Sequence, residues 1–201
     1  MTATARRRPK QARSREKVTR IVAAARRILE SGGPDALNTN RIAAEAGVGV
    51  GSVYEYFPDK HAVAEQVLAE LAEGEAAEVL ACFERVTGRP LEEAIREVVA
   101  TVYRMYVRHH DLYRVLWALA PRGRRVGDRP GEVLIQKTVR RWLEPHAEAL
   151  ELHDLDLAVL TTFHLVESLA MQMAAHRGDR PDEAYVDEIV RAVMGYLGLR
   201  R

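Results

Sequence analysis

Residues 39–56 read TNRIAAEAGVGVGSVYEY, and the fold of the whole chain can be argued outward from them. Two short helices, over 39–46 and 50–57, are expected on either side of Gly47. A helix-turn-helix needs apolar residues where its helices touch, a small residue at their closest approach and glycine at the turn. Ile42, Ala46, Val48 and Val53 occupy the contact positions, Ala43 is the small residue, and Gly47 can take a positive φ without steric cost.

Outside this stretch nearly every segment also has helical periodicity, and no run alternates β-branched or aromatic residues with polar ones. Upstream, Val18, Ile21, Val22, Ala25, Ile28 and Leu29 share a helical face that ends at Ser31-Gly32-Gly33-Pro34. Downstream, helices are expected over 60–86, 91–109, 111–120, 130–150, 154–176 and 181–199, with an exposed loop at 121–129. Asp154 and Asp182 fall in the first turns of the last two, where negative charge suits the helix dipole. The expectation is an all-α chain of about nine helices. A three-helix N-terminal helix-turn-helix domain would be joined to a larger C-terminal helical body.

Charge divides the chain in a similar way. Residues 1–60 carry twelve Lys/Arg against six Asp/Glu, and 61–201 carry eighteen against twenty-three. The first twenty residues hold Arg6, Arg7, Arg8, Lys10, Arg13, Arg15, Lys17 and Arg20 against Glu16 alone. A basic module beside a helix-turn-helix points to duplex DNA, whose binding is driven largely by phosphate neutralisation. The division read from this is a flexible basic tail (1–13), a DNA-binding domain (14–60) and a larger helical body (61–201).

Ile42-Ala43, Glu45-Ala46-Gly47-Val48 and Gly51-Ser52-Val53-Tyr54-Glu55-Tyr56-Phe57-Pro58-Asp59-Lys60 resemble the DNA-binding domain of TetR-type (tetracycline-repressor-like) transcription regulators. The detailed likeness covers about residues 15–65; the rest matches in architecture only. The resemblance implies a homodimer whose N-terminal modules dock in successive major grooves of a palindromic operator. It also implies that the body, 61–201, binds a small-molecule effector and forms the dimer interface. Thr39 and Asn40 match positions that touch phosphates or nearby bases, and Tyr54, Tyr56 and Lys60 match positions that grip the backbone. The recognition positions are Gly49, Val50, Ser52 and Glu55. Here the chain departs from the usual pattern, because residues 47–51 contain no polar side chain. Val50 suits a thymine methyl and Glu55 a cytosine amino group, so direct readout is expected to be sparse.

The helix over 154–176 is apolar nearly all round, which suggests burial on several sides. With the stripe Val186, Ile189, Val190, Val193 and Leu197 of the last helix, it is expected to form the dimer interface. Tyr103, Tyr106, Tyr113, Trp117, Trp142 and Phe163 are candidate walls of an effector pocket for a hydrophobic guest, with His164 and Glu167 fixing a polar end. A satisfied core pair, or a polar spot in the dimer seam, is the plainer reading of those last two.

Other chemistry finds little support in the residues. There is no G-x-S-x-G elbow or P-loop lysine pattern, and the glycines at 47, 49 and 51 follow no strand. Cys82, the single cysteine, reads as a small packing residue, and His109-His110-Asp111 reads as helix capping rather than a metal site. No cofactor, metal or catalytic role is expected. The start MTATARRRPK lacks a secretory apolar core, and the uncharged run 157–166 is short of the ~20 residues a bilayer span takes. A cytoplasmic protein without a membrane partner is therefore expected. A helical enzyme or carrier with incidental basicity is the alternative from another class; an effector-independent activator would differ only in the body.

Overall fold

The computed structural model describes residues 7–119 and 130–199. Eight α-helices and no strands occur among them: α1 Arg7–Gly32, α2 Thr39–Ala46, α3 Val50–Tyr56, α4 Lys60–Val86, α5 Leu91–Leu119, α6 Pro130–Leu143, α7 Leu155–Ala175 and α8 Asp182–Tyr196. Short 3₁₀ turns follow α1 and α6, at Pro34–Ala36 and Glu144–His146. The loop expected at 121–129 and the first six residues of the basic tail lie outside the described residues.

Three boundaries differ from expectation. The basic segment does not stay apart from the first helix: among the described residues α1 already runs from Arg7, through Pro9 and Lys10. The two helices expected over 91–109 and 111–120 are one, since no glycine or proline interrupts His109-His110-Asp111. This makes eight helices rather than nine. Finally, α6 ends at Leu143 instead of 150, as Pro145 cannot continue an α-helix and the chain tightens into a 3₁₀ turn.

The described residues fall into two compact units, 7–71 with 111–119, and 72–110 with 130–199. In the first, α2 packs against α1 and α3, and Ile21, Ala24, Ala25, Ile28 and Leu29 of α1, Ile42 and Ala46 of α2, Val53 of α3 and Val63 and Val67 of α4 are all buried. Phe57, just past α3, is buried with them. Leu112, Tyr113 and Leu116 are also buried.

In the second unit Cys82, Val86 and Ala94 form a buried cluster covered by Val98 and Trp142, and Thr101 Oγ1 donates to the Cys82 sulfur at 3.4 Å. The middle of α5 is tied to α4 by polar bonds. Arg108 makes a two-pronged bond to Glu78 at 3.0 and 3.2 Å, and His109 Nδ1 lies 2.8 Å from the buried Glu75 carboxylate. The Arg108 guanidinium holds the Glu78 carboxyl below its ordinary pKa.

Asp154 caps α7 by accepting from Leu157 N–H. Helix α7 is long and apolar enough, by length and composition, to cross a bilayer, which the length of its uncharged run did not foretell. It packs between α6 and α8 in the second unit. Its buried side is Ala158, Val159, Thr162, Ala170 and Ala174. The opposite stripe, Leu157, Leu160, His164, Glu167 and Met171, is only partly covered; Leu157 is 57% exposed and Leu160 45%. The α8 stripe expected to face a partner is instead spent inside the chain: Val186, Ile189, Val190, Val193 and Leu197 are all buried.

Candidate nucleic-acid interface

The turn between α2 and α3 is built by backbone geometry. Asn38 caps α2, its side chain accepting from Arg41 N–H at 2.9 Å. At the other end Gly47 takes φ 63° and ψ 42°, and two bonds close the helix, Val48 N–H to Ala43 O (3.0 Å) and Gly47 N–H to Ala44 O (3.2 Å). That pair of bonds is a Schellman motif, which satisfies carbonyls left open at a helix end. Arg20 of α1 then locks the turn, donating to the carbonyls of Ala46 (2.5 Å) and Gly47 (2.9 Å). Arg20 therefore serves the fold of the turn, although its place in the basic segment gave it the look of a phosphate ligand.

A Cβ on Gly47 would stand 2.7 Å from the Arg20 guanidinium, in a conformation L-residues avoid. Gly47→Ala is expected to lower stability by about 1–2 kcal/mol, read as a lower melting temperature. An unchanged melting point would show that the turn does not depend on the left-handed glycine.

With the turn fixed, α3 buries Val53 and leaves Gly49, Val50, Gly51, Tyr54 and Glu55 exposed, with Ser52 half-buried. The Tyr54 hydroxyl lies 3.1 Å from Thr39 Oγ1, joining the start of α2 to the middle of α3. Tyr56 is half-buried, and its hydroxyl accepts from Ser14 Oγ at 3.0 Å. Asn40 is exposed on α2. Lys60 opens α4, where the Asp59 carboxylate accepts from the backbone N–H groups of His61 (2.8 Å) and Ala62 (2.9 Å). The Ala62 N–H bond is the main reason the Asp59 carboxyl titrates below its ordinary value. Every expected interface residue thus lies in the first unit. Sequence reasoning missed the roles of Ser14, Arg20 and Asn38, since a lone hydroxyl or guanidinium carries no spacing signal.

Nothing lies within 4 Å of a Cβ built on Gly51. Gly51→Ala is expected to stabilise the domain by about 0.5–1 kcal/mol, because glycine in a helix costs that much. The added methyl on the exposed face of α3 is expected to weaken duplex binding at the same time. Melting curves and anisotropy titrations of one variant check both signs; a gain in both would place Gly51 away from the bound surface.

The candidate effector residues are spread over both units. Tyr113 is buried in the first, and Trp117 lies on α5 with its side chain outside the described residues. In the second unit Tyr106 is buried. Tyr103 is fully buried, stacks on Tyr185 with centroids 5.8 Å apart, and donates to Asp182 at 3.5 Å. Trp142 stands edge-on to Phe83 (5.9 Å) and to His146 (6.4 Å). Phe163 is half-buried beside His164, and His164 Nδ1 is 3.4 Å from Glu167 Oε2. Of the candidate set, the geometry brings the last three together.

Two family descriptions match the chain. "Bacterial regulatory proteins, tetR family" covers residues 21–67, and "Tetracyclin repressor-like, C-terminal domain" covers 90–197. No relative matches among curated proteins. Among solved structures, a TetR-family transcriptional regulator from Mesorhizobium loti is similar, with a TM-score of 0.65, 17% identity, and 93% of this chain and 98% of that one covered. The fatty acid degradation regulator FadR from Bacillus halodurans gives 0.63 at 20% identity, with 92% and 97% covered. FadR from Bacillus subtilis, solved in complex with stearoyl-CoA, gives 0.61 at 16% identity, with 91% and 99% covered. With its N-terminal helix-turn-helix and its C-terminal body both matched, this chain belongs to the TetR family of DNA-binding transcription regulators.

Proposed function

We propose that the protein is a homodimeric, cytoplasmic repressor that holds a palindromic operator and is released by a small, mainly hydrophobic effector. The observation that carries the reading is the exposed face of α3, framed by the Thr39–Tyr54 pair, Tyr56 and Lys60. Hydroxyl and ammonium groups around a helix with a nearly bare surface suit phosphate gripping with few base contacts. Thr39, Asn40, Tyr54, Tyr56 and Lys60 are assigned to the backbone. Gly49, Val50, Ser52 and Glu55 are assigned to the groove. Residues 14–60 act as the DNA-binding domain, preceded by the basic segment 1–13, and 61–201 bind effector and partner.

The exposed Leu157 and Leu160 support a second copy as the partner of α7. His164 and Glu167 share that stripe at side-chain exposures of 38% and 21%, which favours a polar spot in the seam between subunits. The effector pocket then draws on aromatic groups of the second unit, Tyr106, Trp142 and Phe163. A long acyl thioester fits the proposed hydrophobic class, as the Bacillus subtilis FadR of similar fold holds stearoyl-CoA.

Selection of bound genomic fragments would yield the operator, and acyl thioesters and other hydrophobic metabolites can then be screened for its release. Release requires an effector that prefers the conformation mismatched to DNA. His164→Ala and Glu167→Ala are expected to leave the effector's affinity unchanged. A loss of response with intact dimerisation would move those two residues from the seam into the effector site. Failure of every fragment to bind would contradict the regulator reading itself.

A further inference from the structure

A hydrogen bond joins the basic start of α1 to the recognition helix. Ser14 Oγ donates to the Tyr56 phenolic oxygen at 3.0 Å, across forty-two positions of sequence, with both side chains half-buried. Because the serine proton occupies a lone pair of that oxygen, the phenol proton remains free to be donated elsewhere. A phosphate oxygen accepting it would complete a chain from Ser14 through Tyr56 to DNA, and such chains polarise and strengthen each bond.

The same bond places the start of α1. Toward the C-terminus, α1 is held by its core residues from Ile21 onward and by Arg20 at the turn carbonyls. Toward the N-terminus the helix runs on through two turns carrying Arg7, Arg8, Lys10 and Arg13. Ser14 stands between these parts, with Arg13 and Arg15 exposed beside it and Lys17 one turn on. The basic stretch is thereby pinned to the end of α3 rather than left as a separate tail.

We propose that Ser14 is a positioning residue for DNA binding, holding Tyr56 as a phosphate donor and keeping the basic start of α1 in register with the recognition helix. This rests on the reading of α3 as a DNA-contacting helix. A neutral hydroxyl inside a basic run thus decides how many of the neighbouring charges reach the backbone together.

The test uses the full-length protein and a labelled random-sequence duplex of about 30 base pairs, enough for two half-sites a helical turn apart. Phosphate contacts do not depend on sequence, so no operator is needed. Ser14→Ala is expected to weaken binding about five- to tenfold, the loss typical of one hydrogen bond between neutral groups. The slope of log affinity against log salt should fall by about one for each cation that leaves the backbone. Tyr56→Phe should weaken binding similarly, the double variant should be no worse than the poorer single, and Ser14→Thr should restore binding.

Circular dichroism checks that each variant keeps its helices; a merely structural bond would change melting but not the salt slope. Wild-type affinity and slope in Ser14→Ala, or losses that simply add in the double variant, would overturn the positioning role while leaving DNA binding intact. Salt-insensitive or absent duplex binding by the unaltered protein would instead overturn the DNA-contacting reading, and this proposal with it.

Discussion

Replacing Leu157 and Leu160 together with Glu is expected to give a folded monomer whose operator affinity is lower by about 10²–10⁴-fold, the gain that linking two binding modules supplies. Both side chains are open to solvent in the single chain, at 57% and 45% exposure, so their loss costs the subunit little. In a dimer seam each would contribute about 1.5–3 kcal/mol by burial. Glutamates there would have to be buried without partners, a further penalty of several kcal/mol. Val193→Asp is the contrasting change: Val193 is 1% exposed inside its own chain, so this variant is expected to unfold rather than to dissociate. Sedimentation velocity with melting curves separates the two outcomes. A Leu157/Leu160 variant that remains dimeric would move the seam off this face of α7.

Tyr103→Ala is expected to cost about 3–5 kcal/mol, as deletion of a large buried ring usually does, which is much of a typical domain's stability. Tyr103→Phe keeps the ring and loses only its bond to Asp182, at about 0.5–1.5 kcal/mol. The ring stacks on Tyr185, whose own hydroxyl accepts from Gly178 N–H at 2.9 Å, while Arg177 pairs with Asp182 at 3.0 Å. Tyr103 thereby fastens α5 to the start of α8 and to the loop before it. Burial, with the Asp182 carboxylate alongside, pushes its pKa from 10.0 up to about 12.

The folded state therefore holds this phenolic proton more tightly than the unfolded chain does. The stabilisation is complete below pH 10 and is lost as the pH rises toward 12. Chemical denaturation of wild type and Tyr103→Phe across that interval should show the extra alkaline loss in the wild type alone. Equal pH dependence would remove Tyr103 from the account. Full stability of Tyr103→Ala with altered effector response would make the ring a pocket wall rather than a fastening.

The helix-turn-helix was legible because its physics is local. Gly47, Ala43 and the apolar positions 42, 46, 48 and 53 are fixed by the geometry of two touching helices; Gly47 takes the turn and Ala43, Ile42, Ala46 and Val53 are buried, while Val48 is half-buried. The length of α5 was less legible, since His109-His110-Asp111 resembles a polar junction. The structure shows that the helix continues there, with Arg108 and His109 bonded to Glu78 and Glu75 of α4 instead of capping a helix end. The stripe of α8 was visible in the sequence, but a period of 3.6 does not say whether an apolar face meets its own chain or another. The structure assigns it to its own chain and leaves Leu157 and Leu160 of α7 open. Ser14 and Arg20 were hidden for a different reason: a basic run looks the same whether its members hold a turn, a tyrosine or a phosphate.

Footprinting of the selected operator over a range of salt tests most directly whether this chain grips duplex DNA through a pair of α3 helices. The account predicts two protected half-sites of a palindrome, centred about 34–36 Å apart on one face of the duplex. It also predicts that binding falls about 10³–10⁵-fold between 50 and 200 mM salt if six to ten phosphates are contacted. A single asymmetric footprint, or binding that ignores salt, would contradict it.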